Sequence, residues 1–94
     1  MKLTARIETG EIRQTLHLQG RQAWALMELL KAGETGITSR QNPAPRISAY
    51  VHSLRRKGVS IDTDWEKHGG KYPGEHSVYR LRSAVKIQWM EGRA

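Results

Sequence analysis

Cysteine is absent from this 94-residue chain, and no long hydrophobic run occurs in it. The lack of cysteine excludes disulfides, thiolate metal sites and thiol nucleophiles, so stability must come from packing and hydrogen bonds. A membrane helix would need roughly 18 consecutive apolar residues, and a secretory signal would need an apolar block near the N-terminus. We therefore expect one small cytosolic domain with a single core and no membrane segment.

Acidic residues are also few, and the charge balance is strongly basic. Sixteen Lys and Arg stand against nine Asp and Glu, which gives a formal net charge of +7. An anionic partner is therefore the first hypothesis to consider. Composition alone does not choose among nucleic acid, an acidic protein and a membrane surface.

Residues 1–19 predict an N-terminal β-hairpin or arm. Apolar residues alternate with polar ones on both sides of Thr9-Gly10, which is typical of two paired strands. A two-residue turn at Thr9-Gly10 would place Glu8 opposite Glu11 and Arg6 opposite Arg13. Such like-charged pairs are mildly unfavourable, so a longer loop or an unpaired arm is the alternative. The alternating apolar residues are Leu3, Ala5, Ile7, Ile12, Leu16 and Leu18.

Two helices are predicted next. In residues 21–32 an apolar stripe at helical spacing ends at Gly33, and we expect Trp24 on this helix to fill the core. Pro43 and Pro45 restrict residues 39–44 to one helical turn at most, whereas Pro45 suits the start of a second helix through residue 57. The first stripe is Ala23, Leu26, Met27 and Leu30, and the inward residues of the second helix are Ile47, Tyr50, Val51 and Leu54.

A second hairpin follows the helices. Residues 59–66 alternate in polarity, residues 68–74 are rich in turn-forming types, and residues 77–82 alternate again. On the first of these strands we expect Val59, Ile61, Thr63 and Trp65 to face inward. Helix, short apolar stretch, helix and hairpin is the order of a winged helix, so we predict an α+β winged helix-turn-helix domain over residues 20–82. The tail, residues 83–94, is left open as a strand, a short helix or an oligomer contact.

Two motifs carry a family resemblance. The first runs from Asn42 to Gly58 and begins NPAPR; the second is HGGKYPGEH at 68–76, followed by Tyr79-Arg-Leu81. With them, residues 20–82 resemble small bacterial winged helix-turn-helix proteins, many of them encoded in prophages. The resemblance implies a double-stranded DNA-binding protein, such as a transcriptional regulator or a phage-derived protein, associated with the nucleoid in the cytoplasm. The chain departs from ordinary winged helices in the compressed positioning helix at 39–44, which puts the usual docking on the DNA backbone in doubt.

The second helix carries the predicted DNA contacts. From Thr35 to Ile61 there are five cations and no anion, which suits a phosphate backbone, although a solvated helix face is the alternative. Arginine can bridge guanine O6 and N7, so Arg56 is the first candidate for a base contact. Acids on one face of the second hairpin, which is the wing of a winged helix, should limit its contacts with DNA to the tip and the returning strand. The predicted DNA-binding residues are Arg40, Arg46, Ser48, Ala49, His52, Ser53, Arg55, Arg56, Lys57, Lys67, Lys71 and Arg80.

Catalysis and metal binding have weak support in the sequence. Asp62, Asp64 and Glu66, with His68 and His76 nearby, could be imagined as a metal-dependent nuclease site. Alternating acids on a half-exposed strand are normally its solvated face, and the two histidines lack the usual ligand spacing of a zinc site. No phosphate-loop motif or nucleophile with a base occurs. We therefore expect a protein that is not an enzyme and has neither cofactor nor metal.

A protein-interaction module is the alternative function. The same fold could dock an acidic partner, or self-associate through the N-terminal hairpin and the apolar residues of the tail, namely Val85, Ile87, Trp89 and Met90. A homodimer would also fit a palindromic DNA site, so the two hypotheses are compatible.

Overall fold

Two helices and two antiparallel three-stranded sheets make up the part of the chain that the computed structural model describes, residues 1–38, 47–71 and 73–92. The predicted helix start at Pro45 and the candidate residues Arg40 and Arg46 lie outside these residues. In chain order the elements are β1 (Lys2–Thr9), β2 (Ile12–Gln19), α1 (Gly20–Ala32), a 3-10 turn (Gly33–Thr35), β3 (Ile37–Thr38), α2 (Ile47–Arg56), β4 (Ile61–His68), β5 (Gly74–Leu81) and β6 (Ala84–Glu91).

The predicted winged helix arrangement is confirmed. β4 and β5 pair antiparallel as the wing hairpin, and β3 adds to β5, so the second sheet has the order β3-β5-β4. The first sheet has the order β2-β1-β6. Of the alternatives left open for the tail, the structure shows a strand, since β6 pairs along β1. Neither helix of the described chain is long and apolar enough to cross a bilayer.

The N-terminal hairpin is present, but the predicted turn position is wrong. The turn is Gly10-Glu11, because Thr9 pairs with Ile12 and Glu8 with Arg13. This shift by one residue replaces the like-charged pairs with an ion pair between Arg13 and Glu8, 3.6 Å apart. Gly10, with φ of +63°, supplies the positive φ that tight hairpin turns require at their first central residue.

The core lies between the first sheet and the helices. Leu3, Ala5 and Ile7 of β1 are buried, as their alternation predicts. On α1 the predicted stripe is rotated, because the buried residues are Ala23, Ala25, Leu26 and Leu29, whereas Met27 and Leu30 are only partly buried. α1 contacts both the first sheet and α2, so it buries a wider arc than a stripe of large apolar residues indicates. Trp24 is partly buried and meets Tyr50 edge to face, with ring centroids 6.5 Å apart.

On α2 the predicted inward face is confirmed, with Ile47, Val51 and Leu54 buried and Tyr50 packed at the edge of the core. The wing departs from its predicted pattern. Ile61 is buried, but Trp65 on the same strand face is 67% exposed. β4 is therefore exposed from Asp64 to Lys67, whereas Val78 and Ser77, the β5 partners of Asp64 and Trp65, are buried.

A buried serine joins the two sheets. Ser83, between β5 and β6, shares a 2.7 Å hydrogen bond with Thr9 Oγ1 and accepts a 2.8 Å bond from the Ser60 amide. The β5–β6 connection is thereby held against both the end of β1 and the start of the wing.

Candidate nucleic-acid interface

The outer face of α2 is exposed and free of acids. Its residues point away from the buried side of the helix because they lie about half a turn from Ile47 and Leu54. Ala49, His52 and Arg56 are exposed, and Ser53 is half-buried. We call Ser48, Ala49, His52, Ser53 and Arg56 the α2 outer face. Arg55 and Arg56 occupy the last turn, where positive charge is favourable with respect to the helix dipole.

One flank of this face is held by α1. Gln22, in the first turn of α1, donates from its amide to Ser53 Oγ and accepts a 3.0 Å hydrogen bond from Lys57 Nζ. Gln14 of β2 donates a 2.9 Å bond to the Lys57 carbonyl, just past the end of α2. Ser53 and Lys57 are therefore positioned by neighbouring elements while Lys57 stays exposed.

The other flank is tied to the wing by Arg55. Its guanidinium donates to the Ile61 carbonyl at 3.1 and 2.6 Å and to Thr63 Oγ1 at 2.7 Å. These bonds fix the angle between α2 and β4. Arg55 was predicted as a DNA contact, but its donors are used largely inside the protein.

The acids of the wing lie together on one face, as their alternation predicts, and that face is turned away from α2. Asp62 accepts from Arg82 at 2.7 Å, and Asp64 accepts from Arg80 at 2.7 Å. Donation to Asp62 raises the pKa of the Arg82 guanidinium above its ordinary value. Arg80 also donates to the Glu34 carbonyl at 2.8 Å. Arg80, another predicted DNA contact, thus binds its own chain.

The opposite face of β4 continues the α2 outer face. Thr63 contacts Arg55, and by strand alternation Trp65 and Lys67 point to the same side. Both are exposed. The β4 face that meets Arg55 therefore continues, away from α2, into the exposed Trp65 and Lys67, with Glu75 of β5 opposite Lys67 on the same face.

A family comparison agrees with this architecture. A family model described as a winged helix domain matches residues 15–91, from within β2 to the end of β6. The chain belongs to the winged helix domain family. No curated protein and no solved structure matches the chain significantly. Membership in the winged helix domain family supports a DNA-binding role in general terms, and it indicates a binding module more than a catalyst.

Within this winged helix domain the structure brings together only part of the predicted site. The α2 outer face and the adjoining Lys57 lie together, Lys67 is exposed on the β4 face that meets Arg55, and Lys71 is exposed in the loop at the wing tip. Arg55 and Arg80 are engaged in holding the wing, and Arg40 and Arg46 lie outside the described residues. The part of the chain that the structure describes contains no group of three or more His, Cys, Asp or Glu side chains suited to a metal ion.

Trp65 is the surface residue that sequence analysis missed. Its alternation with acids predicts an inward position, and the winged helix domain instead exposes it, on the β4 face that meets Arg55 at Thr63. The length of the wing could have revealed this, because a strand of eight residues spans about 26 Å and Trp65 lies in its outer half.

Proposed function

We propose that this winged helix domain binds double-stranded DNA, with α2 in the major groove and the wing on the adjoining backbone. The observation that carries the proposal is the sorting of charge. The α2 outer face and the Thr63, Trp65 and Lys67 face of β4 carry no acid, and Glu75 of β5, opposite Lys67, is the acid on that side of the wing. Asp62, Asp64 and Glu66 lie on the opposite face, and two of them are paired with arginine.

Each part of this surface has a chemical role. Ala49, with its small side chain, lets the helix approach the base edges closely, and Arg56 offers a planar fork for guanine O6 and N7. His52 and Ser53 are neighbouring hydrogen-bonding groups. Lys57, at the end of the helix, is placed for a phosphate contact, which positions a protein on the duplex but carries no sequence information.

The wing contributes a second contact. Lys67 and Lys71 would meet phosphates, and Trp65 would pack against the sugar-phosphate backbone beside them. Arg55 serves as a positioning residue in this proposal, since its bonds to β4 set how far the wing stands from α2. A selection of bound sequences from a random duplex pool would decide whether binding is specific, as in a transcriptional regulator, or tolerant of sequence.

The direct test is a titration of the full chain with duplex DNA at several salt concentrations. We expect binding at about 50 mM salt that weakens steeply as salt rises. Ala49→Glu should abolish it, because the new carboxylate would face the DNA. Ala84→Glu is the matched control, since Ala84 is also exposed but lies on β6 of the other sheet. Absence of binding at low salt, or equal binding by both variants, would refute the proposal.

Self-association is a second candidate function, favoured by β6. This strand is an edge of the first sheet, and it exposes Trp89 (51%) and Met90 (48%). Unpaired edge strands with apolar side chains are sites of strand pairing between chains. Trp89→Lys should convert a dimer to a monomer in sedimentation experiments. A wild-type chain that is monomeric at all accessible concentrations would exclude this function.

A further inference from the structure

Two histidines meet at the base of the wing tip. His68 ends β4 and His76 lies in β5; a 3.0 Å hydrogen bond joins their Nδ1 atoms, so a metal ion bound by both would replace the proton between them, and their ring centroids are 5.2 Å apart. The antiparallel register explains this contact, because His76 pairs with Glu66 and His68 pairs with Gly74, which makes the histidines diagonal neighbours on one face. A separation of eight residues in sequence thus becomes direct contact in the folded wing.

The distance fits two ligands of one metal ion. Imidazole nitrogens bind a divalent ion at about 2.0–2.1 Å. With the nitrogens 3.0 Å apart, the angle at the metal would be about 91–97°, close to the right angle between neighbouring positions of a tetragonal site. Imidazole nitrogens suit both Ni²⁺ and Cu²⁺, and the affinity of such sites generally rises from Ni²⁺ to Cu²⁺, so these are the ions to test.

The local charge also favours a cation. Glu66 lies directly opposite His76 on the same face and is in none of the ion pairs of the described residues, unlike Asp62 and Asp64. Its carboxylate offsets part of the positive charge that an ion would bring. Both imidazoles are only partly buried, so solvent reaches them and water can fill the remaining coordination positions.

We propose that His68 and His76 form a two-histidine site for a divalent transition-metal ion with tetragonal nitrogen and oxygen coordination, Ni²⁺ or Cu²⁺. The ion would link β4 to β5 immediately before the loop that carries Lys71. This proposal does not depend on DNA binding, and its test uses the chain without DNA.

The test is calorimetric titration of the full chain with NiCl₂ and with CuSO₄. We expect one equivalent to bind, with affinity reduced at least about tenfold in both His68→Ala and His76→Ala. His17→Ala is the matched control, because His17 is an exposed strand histidine in the other sheet, hydrogen-bonded to Thr4, and its loss should leave affinity unchanged. Equal affinity in all variants, or no stoichiometric binding below about 1 mM metal, would overturn the site.

Two further measurements distinguish loss of the metal site from misfolding of the variants. Circular dichroism should show that each variant keeps the wild-type spectrum, and His68→Gln, which preserves side-chain size, should lose affinity as His68→Ala does. Electron paramagnetic resonance of the Cu²⁺ complex should show two equatorial imidazole nitrogens. One nitrogen, or a signal that persists in His68→Gln, would contradict the proposal.

Discussion

Replacement of Arg56 by glutamine offers the sharpest test of the α2 surface. Arg56 is exposed on the α2 outer face and takes part in none of the ion pairs among the described residues, so the folded protein should not need it. If its guanidinium neutralises one phosphate, removing it lowers the number of counterions released on binding by about one. The variant should then bind DNA more weakly and respond less to salt.

The size of the effect can be calculated. Each phosphate contact contributes about −0.9 to the slope of log K against log salt concentration. Between about 50 and 200 mM salt, a fourfold change, the wild type should lose about 3.5-fold more affinity than Arg56→Gln because of this one contact. The affinity ratio of wild type to variant should therefore shrink by that factor across the series.

Arg6→Gln is the control for net charge, because it removes the same charge elsewhere. Arg6 is exposed on β1 between the buried Ala5 and Ile7, so its side chain points away from the helices. Fluorescence anisotropy of a labelled duplex would give both slopes. If Arg6→Gln changed the slope as much as Arg56→Gln does, the attraction would come from overall charge and the assignment of α2 would be wrong.

Three further predictions concern stability and the wing. Gly36 has φ of +75° and ψ of 172°, and a Cβ added there would lie 2.8 Å from a carbonyl oxygen of β5. Gly36→Ala should therefore lower the free energy of unfolding, measured in urea, by about 3 kcal/mol or more. Gly10 also has a positive φ, but a Cβ added there would meet no atom within 4 Å, so Gly10→Ala should lower the free energy of unfolding by only about 1–2 kcal/mol. An equal loss in the two variants would contradict the predicted clash at Gly36. Ser83→Ala should lower the free energy of unfolding by about 1–3 kcal/mol in the same assay, because the Ser60 amide would lose its hydrogen-bond acceptor. An unchanged urea midpoint would show that the hydrogen bonds of Ser83 are not needed for stability. Trp65→Ala should change stability by less than about 0.5 kcal/mol yet weaken duplex binding about fivefold or more; unchanged affinity would remove Trp65 from the interface.

Much of the fold could be predicted from periodicity. The inward residues of α2 follow from helical spacing, since one side of this helix packs on the core and the other faces solvent. The wing follows from strand alternation and the turn-forming residues between its strands. Both patterns report local burial on one side, and local burial is what a single sequence encodes most directly.

The errors share a different cause, which is contact between distant segments. The stripe on α1 is rotated because this helix contacts α2 and strands of both sheets, and the small Ala25 is buried as completely as Leu29. The turn of the first hairpin is displaced because the true register pairs Glu8 with Arg13. Neither the set of elements that contact a helix nor the register of two strands can be derived from the spacing of apolar residues within one element.

The candidate site was predicted by residue type, but residue type does not say which arginines are free. Arg55 and Arg56 are neighbours in sequence, and a turn of about 100° between them sends one toward the wing and the other toward solvent. Arg80 likewise meets an acid across the hairpin. Separating exposed cations from those bonded within the protein required the position of β4, which depends on the tertiary fold.

The three acids on one face of the wing predict that DNA contacts come from its tip and returning strand, and the structure adds the opposite face of β4 to the surface proposed here. Because side chains alternate along a strand, Asp62, Asp64 and Glu66 share the face opposite Trp65 and Lys67. Two of them are paired with arginine, Asp62 with Arg82 and Asp64 with Arg80. A single hairpin can therefore carry most of its acids away from DNA, because the alternation of β4 places them opposite Trp65 and Lys67, and Glu75 of β5 is the acid that remains beside Lys67.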